Sequence, residues 1–122
     1  MGASWIGQGF SGEPKELTEL MVKAISHRGF ALLNVFSPCV VFRGREQYDD
    51  LRRHLTPLPP SHDPRDRIQA VLLLEEKKIP LPTGVVYEEE RPTYDSLVRS
   101  MQDQARGDGA PSIESLAERF LP

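Results

Sequence analysis

The residues able to do chemistry in this chain are few, and they fall in separate places. The single cysteine, Cys39, follows Ser37-Pro38 at the end of the apolar run Phe30-Ala-Leu-Leu-Asn-Val-Phe36. A free thiol there is either a small buried hydrophobe or a thiolate ligand at the end of a strand. With no second cysteine there is no disulfide framework and no resolving thiol for redox exchange. His27, His54 and His62 lie at a helix end, in a charged helix and beside a helix start, and their spacing forms no acid–base or metal set. Glu88-Glu-Glu90 could attract a cation but reads as a solvated turn. Gly7, Gly9 and Gly12 have the G-x-G-x-x-G spacing of a dinucleotide loop, but no acidic residue ends a second strand about 20 residues on. They read as a loop around Phe10-Ser11 that enters a helix.

Those groups need a scaffold, and hydrophobic periodicity supplies one. Trp5-Ile6 predicts a short strand ending near Gly7. Pro14 suits a first helical turn, with Glu13 or Ser11 as the cap. Leu17, Leu20, Met21, Ala24 and Ile25 then mark one face of a helix. Gly29, just past His27 and Arg28, suits the residue after a helix C-cap. Phe30–Phe36 predicts a strand buried on both faces, as in a helix-covered parallel sheet. Strand, helix and strand make one βαβ unit, so the Gly7–Gly12 loop and Ser37–Cys39 should be neighbours at one sheet edge. Ligands of open α/β sheets bind at the carboxyl ends of strands, which makes Phe10, Ser11, Gly12 and Cys39 the candidate site.

Further on, Tyr48, Leu51 and Leu55 form a thin helical stripe that Pro57-Leu-Pro-Pro60 ends. A further helix should start with Asp63 as N-cap and Pro64 at N1, with Ile68, Val71 and Leu72 on its apolar face and Lys77-Lys78 at its end. Gly84–Tyr87 predicts a strand. Pro92-Thr93 opens a helix through Tyr94, Leu97, Val98 and Met101, and a last short helix carries Ile113, Leu116, Ala117 and Phe120. Two or three strands cannot complete a doubly wound sheet, so half of the core is expected to come from elsewhere. Phe30, Leu32, Leu33 and Val35 should then face missing neighbours.

Composition narrows the function classes. The chain has 122 residues, 27% charged and 39% hydrophobic, with 11 prolines and a formal net charge of −3. That length suits one modest domain, and the charge gives no basic field for nucleic acid. No apolar run approaches the roughly 18 residues that cross a membrane. A lone cysteine suits the reducing cytoplasm.

Gly9-Phe-Ser-Gly12, Ala24-Ile-Ser-His-Arg-Gly-Phe30, Ser37-Pro-Cys-Val-Val-Phe42, His62-Asp-Pro64 and Gly84-Val-Val-Tyr87 stand in order before Arg91-Pro-Thr-Tyr94. In that order they resemble the C-terminal half of the β subunit of 2-oxoacid:ferredoxin oxidoreductases, the subunit that binds thiamine diphosphate. The resemblance implies an α/β fold, the C-terminal part of a doubly wound parallel-sheet thiamine-diphosphate-binding domain, incomplete on its own. Residues 1–101 would be that portion, and residues 102–122 a linker and short C-terminal helix. The implied activity is oxidative decarboxylation of a 2-oxoacid to acyl-CoA, with electrons passing through a [4Fe–4S] cluster to ferredoxin.

On this resemblance Cys39 is the fourth ligand of the cluster, which forms only with an upstream half, and Phe10, Ser11 and Gly12 lie at the thiamine and substrate edge. Thiamine diphosphate with Mg²⁺ and the [4Fe–4S] cluster would belong to the assembled enzyme and not be held by this chain alone. Its partners would be the α subunit, the upstream half of the β subunit, and ferredoxin, 2-oxoacid and coenzyme A through the complex. Nucleic acid and membrane would not be partners. Gly107-Asp108-Gly109 looks like the family's diphosphate and magnesium motif, but no asparagine follows it, so it reads as a loop. The chain would be a fragment or one piece of a split subunit. The alternative is a non-catalytic docking module derived from that subunit.

Overall fold

The computed structural model describes residues 2–75, 79–107, 109 and 111–120. The chain forms two compact units, Met1–Arg91 and Pro92–Pro122. The first begins with strand β1 (Trp5–Phe10), helix α1 (Pro14–Ser26) and strand β2 (Ala31–Phe36). Helices α2 (Val40–Arg43) and α3 (Glu46–His54) follow, then β3 (Leu55–Pro57), α4 (Arg67–Glu75) and β4 (Leu81–Glu88). The second unit holds α5 (Tyr94–Gly107) and α6 (Ile113–Glu118).

The expected α/β architecture is present, with a four-stranded sheet in the order β2-β1-β4-β3. Helix α1 returns the chain so that β1 and β2 run parallel, from Trp5 opposite Ala31 to Phe10 opposite Phe36. β3 and β4 are parallel in the same way, with α4 between them in sequence. The two βαβ units meet antiparallel, β1 against β4, with an irregularity between Ile6 and Gly7. The sheet is therefore mixed rather than wholly parallel. β3 escaped the sequence pattern because three residues ending in proline carry no periodicity.

Helix α1 packs closely on β1 because Gly9 leaves room for it: a Cβ there would lie 2.8 Å from Leu17 Cδ1. A Cβ on Gly7 would lie 2.5 Å from the Trp5 ring. Both glycines lie inside β1 rather than in a loop, and they serve packing, not a dinucleotide. Of the α1 stripe only Leu20 is buried, while Met21 and Ile25 are exposed. His27 is the C-cap of α1, and Gly29 comes two residues later at φ 143°, a conformation that favours glycine. A Cβ there would also lie 2.6 Å from Ser4 Oγ, which is 2.8 Å from His27 Nε2.

The strand read as buried on both faces is instead an edge strand. β2 alternates between half-buried and exposed positions up to Phe36, with Leu32 exposed and Phe30 just before it 62% exposed. Leu33 and Val35 are half-buried. The apolar run needed a neighbour beyond β2, and no described strand lies there.

The core centres on Trp5 and Val86, which are 1% and 0% exposed, with Phe10, Ala70 and Tyr87 also buried. Buried Gln8 crosses the sheet as a polar bridge. Its Nε2 donates to the Pro82 carbonyl of β4 at 3.1 Å, and its Oε1 accepts from Asn34 Nδ2 of β2 at 3.1 Å. Burial of that amide costs little because its donor and acceptor are both used.

Helix α4 starts later than the Asp63 cap predicts. Asp63 closes a turn, its Oδ1 accepting from Arg65 N at 2.9 Å, and Asp66 caps the helix by accepting from Gln69 N at 2.9 Å. The Lys77-Lys78 helix end lies outside the described residues. In the second unit Thr93 caps α5 through Ser96 N at 3.1 Å, and Ser112 caps α6 through Ser115 N at 3.1 Å. The backbone amide of Glu114 and the Ser112 side chain hold the Glu114 carboxyl below its ordinary range. Gly107 ends α5, and the Asp108 of the Gly-Asp-Gly motif lies outside the described residues. Among the described residues no helix is long and apolar enough to cross a membrane.

At the end of β4, Tyr87 Oη donates to Glu89 Oε2 at 2.5 Å and Arg91 Nε donates to the same oxygen at 2.6 Å. Arg91 first, then Tyr87, holds the Glu89 carboxyl below the usual range. The hydrogen bond to Glu89, then burial, pushes the Tyr87 phenol up.

Two stability predictions follow from this packing. Trp5→Ala should cost about 3–5 kcal/mol, whereas Ile25→Ala, at a position 84% exposed, should stay within about 0.5 kcal/mol. Urea unfolding of the protein carrying each change reads the difference. The Tyr87–Glu89–Arg91 cluster should add a small, salt-sensitive pH dependence, because its charges are in contact with solvent. The depressed Glu89 pKa gives a contribution present above the unfolded carboxylate value and lost as pH falls through the folded one. The raised Tyr87 pKa gives one present below the ordinary phenol value and lost as pH rises through the folded one. Glu89→Gln should flatten the acid limb of urea midpoint against pH, and Tyr87→Phe the alkaline limb.

Candidate functional site

Because β1 and β2 are parallel and in register, they end level. Ser11 N donates to the Phe36 carbonyl at 3.0 Å, so the Phe10–Gly12 turn and the Ser37–Cys39 turn lie side by side, as expected. Phe10 is buried, and Ser11 and Gly12 are half-buried. Gly12 tolerates no side chain, since a Cβ would lie 2.3 Å from the Phe10 ring. Ser11 Oγ is buried and has no hydrogen-bond partner among the described residues. A buried hydroxyl is ordinarily hydrogen-bonded to protein or water, so Ser11 Oγ has a hydrogen bond to offer at this edge.

Cys39 is exposed in this chain. It stands at the N-cap of α2 at φ −91° and ψ 107°, and its side chain makes no capping bond. The thiol is free to bind. Val40, Val41 and Phe42 directly after it are exposed as well, at 45%, 84% and 87%. The arrangement is an accessible sulfur donor beside an apolar rim. Among the described residues no group of three His, Cys, Asp or Glu side chains converges to hold a metal by itself.

Helix α3 then folds back onto the first turn. The Tyr48 and Phe10 rings lie 5.8 Å apart, within the range of favourable aromatic contact. Four residues on, and so on the same helix face, Arg52 Nε donates to Glu13 Oε1 at 2.9 Å and Nη2 to the Gly12 carbonyl at 3.2 Å. Glu13 is the α1 N-cap, yet its carboxylate makes no capping bond. A cleft of about 210 Å³ opens here, lined by Phe10, Glu13, Glu16, Arg52, Leu55, Pro57 and Thr83.

The other groups singled out in the sequence stay apart from this edge. Ser4 holds His27, His62 Nε2 lies 2.9 Å from the Val86 carbonyl, and His54 Nδ1 lies 3.7 Å from Asp50 Oδ1. Glu89 of the acidic run is taken by Tyr87 and Arg91. Arg52 and Glu13 are the site residues that pattern reading missed. The spacing of Tyr48 and Arg52 was visible, but their partners lie 38 or more residues away in sequence.

The chain is similar to known proteins over most of its length. The family described as the C-terminal region of the pyruvate ferredoxin oxidoreductase beta subunit matches residues 39–103, beginning at Cys39. A 2-oxoacid:ferredoxin oxidoreductase subunit beta from Saccharolobus solfataricus is 29% identical over 100 residues, 73% of this chain and 33% of that protein. Subunit beta of 2-oxoacid:ferredoxin oxidoreductase 1 from Aeropyrum pernix is 25% identical over 128 residues, 95% of this chain and 40% of that protein. A solved 2-oxoglutarate:ferredoxin oxidoreductase from Magnetococcus marinus, with 2-oxoglutarate, coenzyme A and succinyl-CoA bound, superposes with a TM-score of 0.86 at 30% identity. That match covers 99% of this chain and 42% of the solved one, so the chain spans well under half the length of these relatives. Through residues 39–103, the chain belongs to the family formed by the C-terminal region of the pyruvate ferredoxin oxidoreductase beta subunit.

Proposed function

We propose that this chain is the C-terminal part of the β subunit of a 2-oxoacid:ferredoxin oxidoreductase and supplies one wall of its active centre. The reaction is 2-oxoacid plus coenzyme A to acyl-CoA, carbon dioxide and a proton, with two electrons delivered to ferredoxin. The observation that carries this reading is the level sheet edge, where exposed Cys39 stands beside the turn that holds the unpartnered Ser11 Oγ. In the assembled enzyme thiamine diphosphate with Mg²⁺ would supply the electron sink for decarboxylation, and a [4Fe–4S] cluster the route for electrons. Cys39 would give one thiolate to that cluster, with the other three from the upstream half of the subunit. Phe10, Ser11 and Gly12 would line the thiamine and substrate side, Ser11 Oγ providing a hydrogen bond and Gly12 the close approach.

The exposed apolar residues favour partners in the same assembly. Phe30 and Leu32 flank the open edge of β2, and Val41 and Phe42 rim Cys39. The upstream half of the β subunit and the α subunit would cover them and exclude water from the thiolate. They also favour the second reading, a docking module without chemistry. The single cysteine and the lack of a membrane-crossing helix among the described residues are compatible with work in the cytoplasm.

Cys39→Ala in the assembled enzyme separates the two readings. On the enzymatic reading about four iron atoms per β subunit should be lost, and 2-oxoacid-dependent ferredoxin reduction should collapse while thiamine diphosphate stays bound. His54→Ala, on the surface of α3, should leave both unchanged. Anaerobic iron analysis and ferredoxin reduction on the two variants decide it. Full iron and full rate in Cys39→Ala would sink the ligand role and favour the docking module.

A further inference from the structure

The two turns of the sheet edge are joined by one backbone hydrogen bond, Ser11 N to the Phe36 carbonyl. The first turn also carries a side-chain tether. The planar Arg52 guanidinium spans a carboxylate and a backbone carbonyl at once, Glu13 Oε1 and the Gly12 oxygen, and is itself steadied by Asp49 Oδ1 at 3.4 Å. Tyr48, on the same face of α3, adds the ring contact to Phe10. Helix α3 follows the Cys39 turn by way of α2 and Gly44, so the tether ties the Phe10–Gly12 turn to the segment that leaves Cys39.

We infer that Arg52 is a positioning residue, a latch that fixes the Phe10–Gly12 turn against α3 and so sets the place of Ser11 Oγ relative to Cys39. The inference rests on the function proposed above. Its logic does not need the latch to stabilise the fold. The Arg52 and Glu13 side chains are 52% and 45% exposed, and such pairs contribute little to global stability. What they hold is a turn at the end of β1, where local order is lost before the core opens. Glu13 supports this reading, because it caps α1 by position while its carboxylate is committed to Arg52. Lysine could keep the charge pair but not the fork that also reaches the Gly12 carbonyl.

The test uses the assembled enzyme with Arg52→Gln, Arg52→Lys and Glu13→Gln. Amide hydrogen exchange across Phe10–Glu13 should speed up roughly tenfold in Arg52→Gln, with the β2 amides Ala31–Phe36 unchanged. Ferredoxin-linked kcat should fall roughly tenfold, while iron content and melting midpoint hold. Arg52→Lys and Glu13→Gln should lie between Arg52→Gln and the unmodified enzyme in both readouts. Unchanged exchange in Arg52→Gln overturns the latch. Faster exchange with an unchanged kcat overturns the positioning role. Loss of protection throughout the sheet in Arg52→Gln makes Arg52 a structural residue and overturns the inference as well. The exchange measurement is independent of the reaction, so full iron and rate in Cys39→Ala would remove the function proposed above and leave the latch itself standing.

Discussion

The in-register parallel pairing of β1 with β2 is the constraint on which the rest of the molecule depends. It holds Phe10 opposite Phe36, so the two strands end at the same level. Gly9 has no Cβ to meet Leu17 and Leu20, so α1 lies close against β1, and Gly7 leaves room for the Trp5 ring and Leu33 of β2. Packing in the middle of the sheet thus supports the level end where Ser11 N meets the Phe36 carbonyl.

The second βαβ unit anchors that pair from the other side. β4 joins β1 antiparallel, and its Val86 and Tyr87 form the buried cluster with Ala70. Gln8 links three strands by using both ends of its amide, toward Asn34 and toward the Pro82 carbonyl. A one-residue slip of β1 would turn Gln8 to the opposite face of the sheet and unpair it, so the bridge specifies register as well as contributing hydrogen bonds. That the same strand carries both the polar bridge and Trp5 makes its register the most constrained in the sheet.

The edge of the sheet has the opposite character. β2 is half-exposed, Phe30 stands out beside it, and Val40–Phe42 turn apolar side chains to solvent next to the thiol. Isolated apolar residues on a surface are ordinary, but an open strand edge with apolar neighbours marks a face built to be covered. The relatives to which the chain is similar are more than twice as long.

Sequence by itself determined the local parts of this protein. The α1 stripe from Leu17 to Ala24, the Phe30–Phe36 strand, the Pro92-Thr93 helix start and the order of motifs around Ser37-Pro38-Cys39 were legible, because each depends on residues a few positions apart. The meeting of the Ser11 turn with the end of β2 was legible too, since a βαβ unit brings two strand ends to one edge. What could not be read were the relations set by distant chain segments. The edge position of β2, the antiparallel meeting of β1 with β4, and the short strand β3 depend on which strands find one another. Asp63 and Asp66 are both good caps in isolation, and the turn between them decided which one starts α4. The reach of Arg52 to Gly12 and Glu13 spans about forty residues and follows no period, so only the folded chain could bring that guanidinium to the turn it holds.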